Sequence, residues 1–363
     1  EILKDFHRVY FPERAADARV TIITDQAGRT LIIRSLALQW TTGDNMKTLE
    51  LEIAWFVNNV FPFTEAQMRG NARGPHFFSI LGHDRQNKLL GDEGAWSRRN
   101  AAPIAHLFRE GSMMRRIDAA AGVFMHERFP LIVKRIQNAT PKIQAMFGDD
   151  VYPRYGRRQG DKEGVFYNFC INAPRPFENI PRVHCYPHVD HMNLAICVCL
   201  IFIYGNFNHR ERCWLVIWEA GLIVELPPGV FMAYPSSLFY HWNVDVCDLD
   251  KAQFVTTTDG RPPNQEQQNF EPLSEEEQAW NRADGRGSMV WFNQATLFQS
   301  AELGVSTIKK AKKRGLDTHS DAQTLITKGL FPKAPVDNLH SQELVDGEDV
   351  VDMELDSGSE VGG

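Results

Sequence analysis

No stretch of this sequence is both long and apolar enough to span a bilayer. Its most apolar run, residues 194–204, has the length of a buried central strand. No internal repeat is visible, which excludes solenoids and propellers. None of the six cysteines (170, 185, 197, 199, 213 and 247) belongs to a CxxC pair, so a zinc ribbon is a poor reading. Their strand-rich setting points instead to buried, reduced thiols of an intracellular protein, nuclear or cytoplasmic. Positive charge is not in excess. The net charge of −7 gives no broad electrostatic footprint for nucleic acid, although it is compatible with a local basic groove. Beyond about residue 337 aromatics are few and acids many, the composition of a disordered tail. The chain begins with Glu1, so the lack of a signal peptide carries no weight.

What is present divides into three parts. Residues 1–160 read as an α+β support region. Two strand-like runs, 20–24 and 30–36, flank the turn Gln26-Ala27-Gly28-Arg29. Residues 44–60 have helical spacing with Asp44 as candidate N-cap. Residues 61–100, rich in Gly, Asn and Arg, look irregular. From 101 to 147 the pattern is helical, divided by Pro130 and Pro141. From residue 165 the composition turns β-branched and aromatic. Strands are expected at 165–171, 194–204, 214–218, 222–226, 230–234 and 287–293, punctuated by Gly205, Gly221 and Pro227-Pro228-Gly229. Short strands at this spacing indicate an antiparallel sandwich or barrel over residues 161–315. A polar insertion at 259–285 interrupts it. A basic helix covers 300–315, and residues 316–363 form the acidic tail.

The chemistry centres on His188-Val189-Asp190. Side chains two apart on an extended strand leave the same face, so this imidazole and carboxylate can reach one point. A second imidazole, His241, arrives after several strand-like runs and the Pro-Pro-Gly turn. Two histidines and a carboxylate on one face of a metal are the ligand signature of non-haem Fe(II) oxygenases. Neutral imidazoles and an ionised carboxylate are what ferrous iron requires at neutral pH. His184 and His191 are neighbouring alternatives. His209 is placed in a loop after Gly205.

An oxygenase that consumes 2-oxoglutarate also needs a cation for the distal carboxylate, best supplied by the planar fork of arginine. Arg286-Gly287-Ser288 places a guanidinium and a hydroxyl on one side of a strand. Lys251 is the rival anchor, with Arg261 and Arg282 behind it.

At these residues the sequence resembles the TET/JBP-like Fe(II)/2-oxoglutarate dioxygenases, in particular their fungal branch. The similar elements are Asn168-Phe169-Cys170-Ile171-Asn172, His188-Val189-Asp190 followed by Asn193, and Gly205-Asn206-Phe207. Further along stand Leu222 to Gly229, Pro235-Ser236-Ser237, His241-Trp242-Asn243, Arg286 to Phe292 and Leu297-Phe298. A fainter echo lies in Arg69-Gly70 and in the helices from 101 to 147. The chain departs from the family in a longer separation of His241 from Arg286, and in Glu211-Arg212-Cys213-Trp214 where many members carry a glycine pair. The resemblance implies a double-stranded β-helix (jelly-roll, cupin-like) core with a helical buttress. It also implies Fe(II), 2-oxoglutarate and O2 as reactants and a 5-methylpyrimidine base of nucleic acid as substrate, with a protein side chain or small metabolite as the alternative. Such a base would be flipped from a duplex or met in a single strand. The run Lys309 to Arg314 would then contact phosphate or serve as a nuclear import signal, against the plainer reading of a solvated helix face. The competing functional classes are a non-catalytic, oxygenase-derived scaffold and a cupin-like metal enzyme that uses no keto acid.

Overall fold

The computed structural model describes residues 2–12, 19–61, 63–71, 73–84, 92–246, 285–318 and 331. Strands β1 (His7–Val9), β2 (Thr21–Thr24) and β3 (Thr30–Ala37) come first. Helices α1 (Asp44–Asn59) and α2 (Glu65–Arg69) follow, then β4 (Phe77–Asp84) and β5 (Asp92–Glu93). Next are α3 (Ala95–Arg99), α4 (Ala101–Leu107), α5 (Met113–Arg128) and α6 (Pro130–Phe147). The later strands are β6 (Asn168–Ala173), β7 (Cys199–Tyr204), β8 (Trp214–Ile217), β9 (Leu222–Val224), β10 (Val230–Tyr234), β11 (His241–Val244) and β12 (Gly287–Phe292). Helices α7 (Ala295–Leu303) and α8 (Ile308–Lys313) close the described chain.

The strands form two sheets. The larger has the order β2-β3-β10-β7-β12-β6-β4-β5 and is antiparallel throughout. The smaller has the order β1-β9-β8-β11, with β1 parallel to β9. From β6 onward the chain alternates between them. It leaves the large sheet after β6, pairs His188 with His241 beside the small sheet, and returns to the large sheet as β7. It then runs through β8 and β9, back to β10, across to β11 and back to β12. Alternation of this kind, with one core between two facing sheets, is jelly-roll wiring and agrees with the sequence expectation.

Strand parity explains the layers. Cys199, Ile201 and Ile203 of β7 point between the sheets, where Met232 of β10 meets Leu215 and Val224 of the small sheet. Leu200 and Phe202 point the other way. With Phe231, Trp291 and Phe169 they pack against helix residues such as Ile117, Met125 and Ile136. Each such fully buried large side chain contributes about 1.5–3 kcal/mol. Segments from before residue 160 extend the large sheet on both sides, since β3 pairs with β10 and β4 pairs with β6.

The 20–36 hairpin forms as expected. The Asp25 carboxylate accepts the N–H of Ala27 and of Arg29 at 2.9 Å each, and Gly28 takes φ 74° in the turn. Four expectations are corrected. Gly43, not Asp44, caps α1, and Asp44 sits in the first turn. Residues 61–100 are not irregular, because Phe77–Asp84 forms a strand beside β6. Pro141 does not end a helix; it lies inside the unbroken α6, while Pro130 begins that helix at its first position. The basic stretch is two helices, separated after Gly304 in the left-handed region, and Ala311 within the lysine run is fully buried. Lys251, Arg261, Arg282, the polar insertion up to residue 284 and nearly all of the acidic tail lie outside the described residues.

Candidate metal centre

His188 and Asp190 do not lie on a strand as expected, since β7 begins only at Cys199. Their segment is fixed instead by a two-way backbone bridge. His188 N–H donates to the His241 carbonyl at 3.2 Å, and His241 N–H to the His188 carbonyl at 2.9 Å. Asp190 N–H donates to the Ser236 carbonyl at 3.0 Å. His241 is the first residue of β11, opposite Ile217 of β8. The extended segment and the strand thus present both imidazoles to one space, with ring centroids 4.2 Å apart.

The ligating atoms of His188, Asp190 and His241 all lie within 4.8 Å of one another. The Nε2 of His188 is 3.8 Å from Asp190 Oδ1, and the Nε2 of His241 is 3.9 Å from Oδ2. The remaining ring nitrogens are committed elsewhere. His188 Nδ1 donates to the Tyr186 carbonyl at 2.6 Å, and His241 Nδ1 to the Phe239 carbonyl at 2.9 Å. A carbonyl can only accept, so both rings carry their proton on Nδ1 and turn the Nε2 lone pair to the shared space. Burial, and then the neighbouring His241, push the His188 imidazole down to about 3. Burial likewise lowers His241. Burial alone would raise Asp190, but the Arg73 guanidinium beside it outweighs burial and holds the carboxyl below its usual range. The donor set at neutral pH is therefore two neutral imidazoles and one carboxylate, which fits a divalent transition metal with three positions left open.

The three residues line a cavity of about 90 Å³ between the sheets, shared with Arg286 and Ser288. Arg286 is 2% exposed. One guanidinium nitrogen donates to the Val183 carbonyl at 2.7 Å, while the buried Nε has no hydrogen-bond partner. Ser288 accepts from Asn172 at 3.3 Å, which leaves its hydroxyl proton free to donate. An orphaned buried guanidinium N–H beside a free hydroxyl is a fit for a carboxylate. Cys170, Cys185 and Cys199 also face the cavity. Burial pushes the Cys170 thiol up to about 12 and raises Cys185 and Cys199, so they stand there as neutral thiols.

The alternative histidines are placed elsewhere. His184 joins Cys213 and Asp245, whose carboxylate is already held by Arg182 at 2.7 Å and Arg212 at 2.9 Å. His191 is exposed, and His209 pairs with the buried Glu225 at 2.6 Å. Sequence reasoning missed Arg73. It donates to Asp190 Oδ1 from Nη2 at 2.6 Å and from Nε at 3.2 Å, across 117 positions of chain. Only Asn71 and the glycines around Arg73 hinted at a built turn there. Among the described residues no helix is long and apolar enough to cross a membrane.

No protein-family model and no curated protein sequence matches the chain. Solved structures do. One is NgTET1 in complex with 5mC DNA, at 9% identity and TM-score 0.44, covering 76% of each chain. Another is OsALKBH1, at 10% identity and TM-score 0.33, covering 72% of this chain and 97% of that one. A third is an oxidoreductase of the 2OG-Fe(II) oxygenase family from Burkholderia pseudomallei, at 10% identity and TM-score 0.34, covering 78% and 93%. At these identities and scores the functional reading rests on the site's own geometry.

Proposed function

We propose that the protein is an Fe(II)- and 2-oxoglutarate-dependent dioxygenase that hydroxylates a C–H bond. The observation that carries this reading is the convergence of two Nε2 lone pairs and one carboxylate in a cavity lined also by Arg286, whose Nε has no hydrogen-bond partner. His188, Asp190 and His241 would hold the metal. Arg286 and Ser288 would grip the distal carboxylate of the keto acid, and Lys251 is the rival for that grip. When bound, iron and 2-oxoglutarate supply the oxidising equivalent from O2 that a C–H hydroxylation needs. The chain's own contribution is to fix both histidine tautomers through backbone carbonyls, to keep Asp190 ionised, and to hold the site in a cavity lined from both sheets. Residues 1–160 act as a support for the barrel of residues 161–315, with 316–363 as a tail.

The motif resemblance favours a 5-methylpyrimidine base of nucleic acid as substrate, in the manner of the fungal TET/JBP-like branch acting in a nucleus. A protein side chain or small metabolite is the alternative. A non-catalytic scaffold is the second reading, favoured by one observation: a guanidinium already neutralises Asp190. The experiment is aerobic incubation with Fe(II), 2-oxoglutarate and, in parallel, methylated DNA, RNA and cell extract. Succinate release with a product 16 mass units heavier (one oxygen atom) identifies enzyme and substrate together. Absence of both from folded protein favours the scaffold.

A further inference from the structure

Resting on the metal reading above, we propose that Arg73 is a positioning residue that restricts Asp190 to metal ligation through a single oxygen. Each carboxylate oxygen offers two lone pairs. The Nη2 and Nε of Arg73, at 2.6 and 3.2 Å, both donate to Oδ1 and fill them. Oδ2 receives only the longer bond from Asn193, at 3.3 Å. Without Arg73 the two oxygens would be nearly equivalent to an incoming ion, because they lie 3.8 and 3.9 Å from the imidazole nitrogens that face them. A carboxylate so placed would chelate through both oxygens. It would take one of the three positions that a bidentate keto acid and O2 must share on an octahedral ion. With both lone pairs of Oδ1 taken by Arg73, Asp190 would ligate an ion through Oδ2 alone.

The placement of Arg73 is itself built. Its N–H donates to the Asn71 side chain at 3.1 Å, which closes the turn ahead of β4. Its carbonyl accepts the N–H of Tyr186 at 3.0 Å, and the Tyr186 carbonyl in turn accepts His188 Nδ1. One turn from outside the strands that carry the ligands therefore braces both His188, through backbone, and Asp190, through a guanidinium. Lysine could not substitute, because a single ammonium is a point donor without the fork that fills both lone pairs of one oxygen.

The test uses Mn(II), an octahedral stand-in for ferrous iron, and counts metal-bound waters by 17O-water broadening of the electron paramagnetic resonance signal. The wild-type chain, Arg73→Gln and Arg73→Lys are compared at equal helicity by circular dichroism. Three bound waters in the wild type and two in both variants support the proposal, as does a loss of 2-oxoglutarate's ability to displace two waters while leaving a third. Three waters in all proteins overturn it and leave the metal reading standing. Arg73→Lys matching the wild type while Arg73→Gln differs also overturns it, because charge alone would then suffice. A wild-type chain that binds no Mn(II) overturns the metal reading itself, and this inference with it.

Discussion

Replacing Arg286 by glutamine tests the co-substrate grip. The guanidinium is buried, one of its nitrogens is spent on the Val183 carbonyl, its Nε has no partner, and the residue lines a cavity together with Ser288. A keto acid bound there gains about two charge-assisted hydrogen bonds, each worth about 1.5–3 kcal/mol. Loss of both weakens binding by about 3–6 kcal/mol, or roughly 150- to 20,000-fold. Arg286→Gln also leaves the buried Val183 carbonyl with only the weak Cys213 thiol bond, at a stability cost of about 1–3 kcal/mol, so the comparison is made on folded protein. The assay is anaerobic titration of the Fe(II)-loaded chain with 2-oxoglutarate, alongside Arg286→Lys and Lys251→Ala. Arginine to lysine retains charge and loses the fork, so it falls between wild type and glutamine. Lys251→Ala leaves the affinity unchanged. An Arg286→Gln chain that binds within threefold of wild type, or a Lys251→Ala chain that loses binding, refutes the assignment of the anchor.

Three further outcomes concern the frame that holds the site. Asp118 is buried, accepts from Gly156 N–H and Trp291 Nε1 at 2.8 Å each through one oxygen, and is pushed by burial from 3.8 up to about 6. Its folded value lies above its unfolded one, so the stability it favours is full below about pH 4 and lost as pH rises through about 6. Asp118→Asn keeps these two bonds and removes the buried charge, while its Nδ2 gives up the longer 3.4 Å bond that the other carboxylate oxygen accepts from Arg157 N–H. It should gain about 2–3 kcal/mol in urea unfolding at pH 7.5, a gain that shrinks toward pH 4, whereas Asp118→Ala should lose about 2–5 kcal/mol. Glu225, fully buried, holds the Phe11 N–H at 2.6 Å and pairs with His209 and Arg210, so Glu225→Ala should cost about 3–5 kcal/mol by denaturant midpoint. A Cβ on Gly287 would lie 2.0 Å from the Tyr204 ring, whose hydroxyl donates to Asn172, so Gly287→Ala should displace β12 and weaken 2-oxoglutarate binding without touching the metal ligands. Unchanged binding by that variant would show that β12 absorbs the methyl group.

The strands that carry the site were legible because their signal is local composition, bounded by glycine and proline. The short apolar runs at 199–204 and 230–234, rich in β-branched and aromatic residues, are a local signal of buried strands, and the Pro-Pro-Gly turn marks where the chain reverses. The grouping of His188 with Asp190 and with a remote His241 followed from residue types and offset, and the structure brings these three together. Their setting was misread. The segment carrying His188 is irregular and is held by a bridge to β11, a contact with no local signature. The strand Phe77–Asp84 hid because Gly82 and the surrounding polar stretch mask its pattern; at Gly82 a Cβ would lie 2.0 Å from the Tyr167 carbonyl oxygen, so only glycine fits. Arg73 was invisible for a different reason. Its partner is set by tertiary pairing of β4 with β6, and no periodicity along the chain encodes an ion pair between such distant positions. Pro141 was read as a breaker from its intrinsic preference, yet α6 runs on past it, with Ile136, Thr140 and Ile143 buried along one side.

The most direct test of the account is anaerobic addition of 2-oxoglutarate to the Fe(II)-loaded chain, read as visible charge-transfer absorption and iron stoichiometry. One ferrous ion per chain is expected, with a weak band that appears on adding the keto acid and is absent from His188→Ala, Asp190→Ala and His241→Ala. A folded wild-type chain that retains no iron, or a band undiminished in those three variants, would contradict the assignment of His188, Asp190 and His241 as the metal centre.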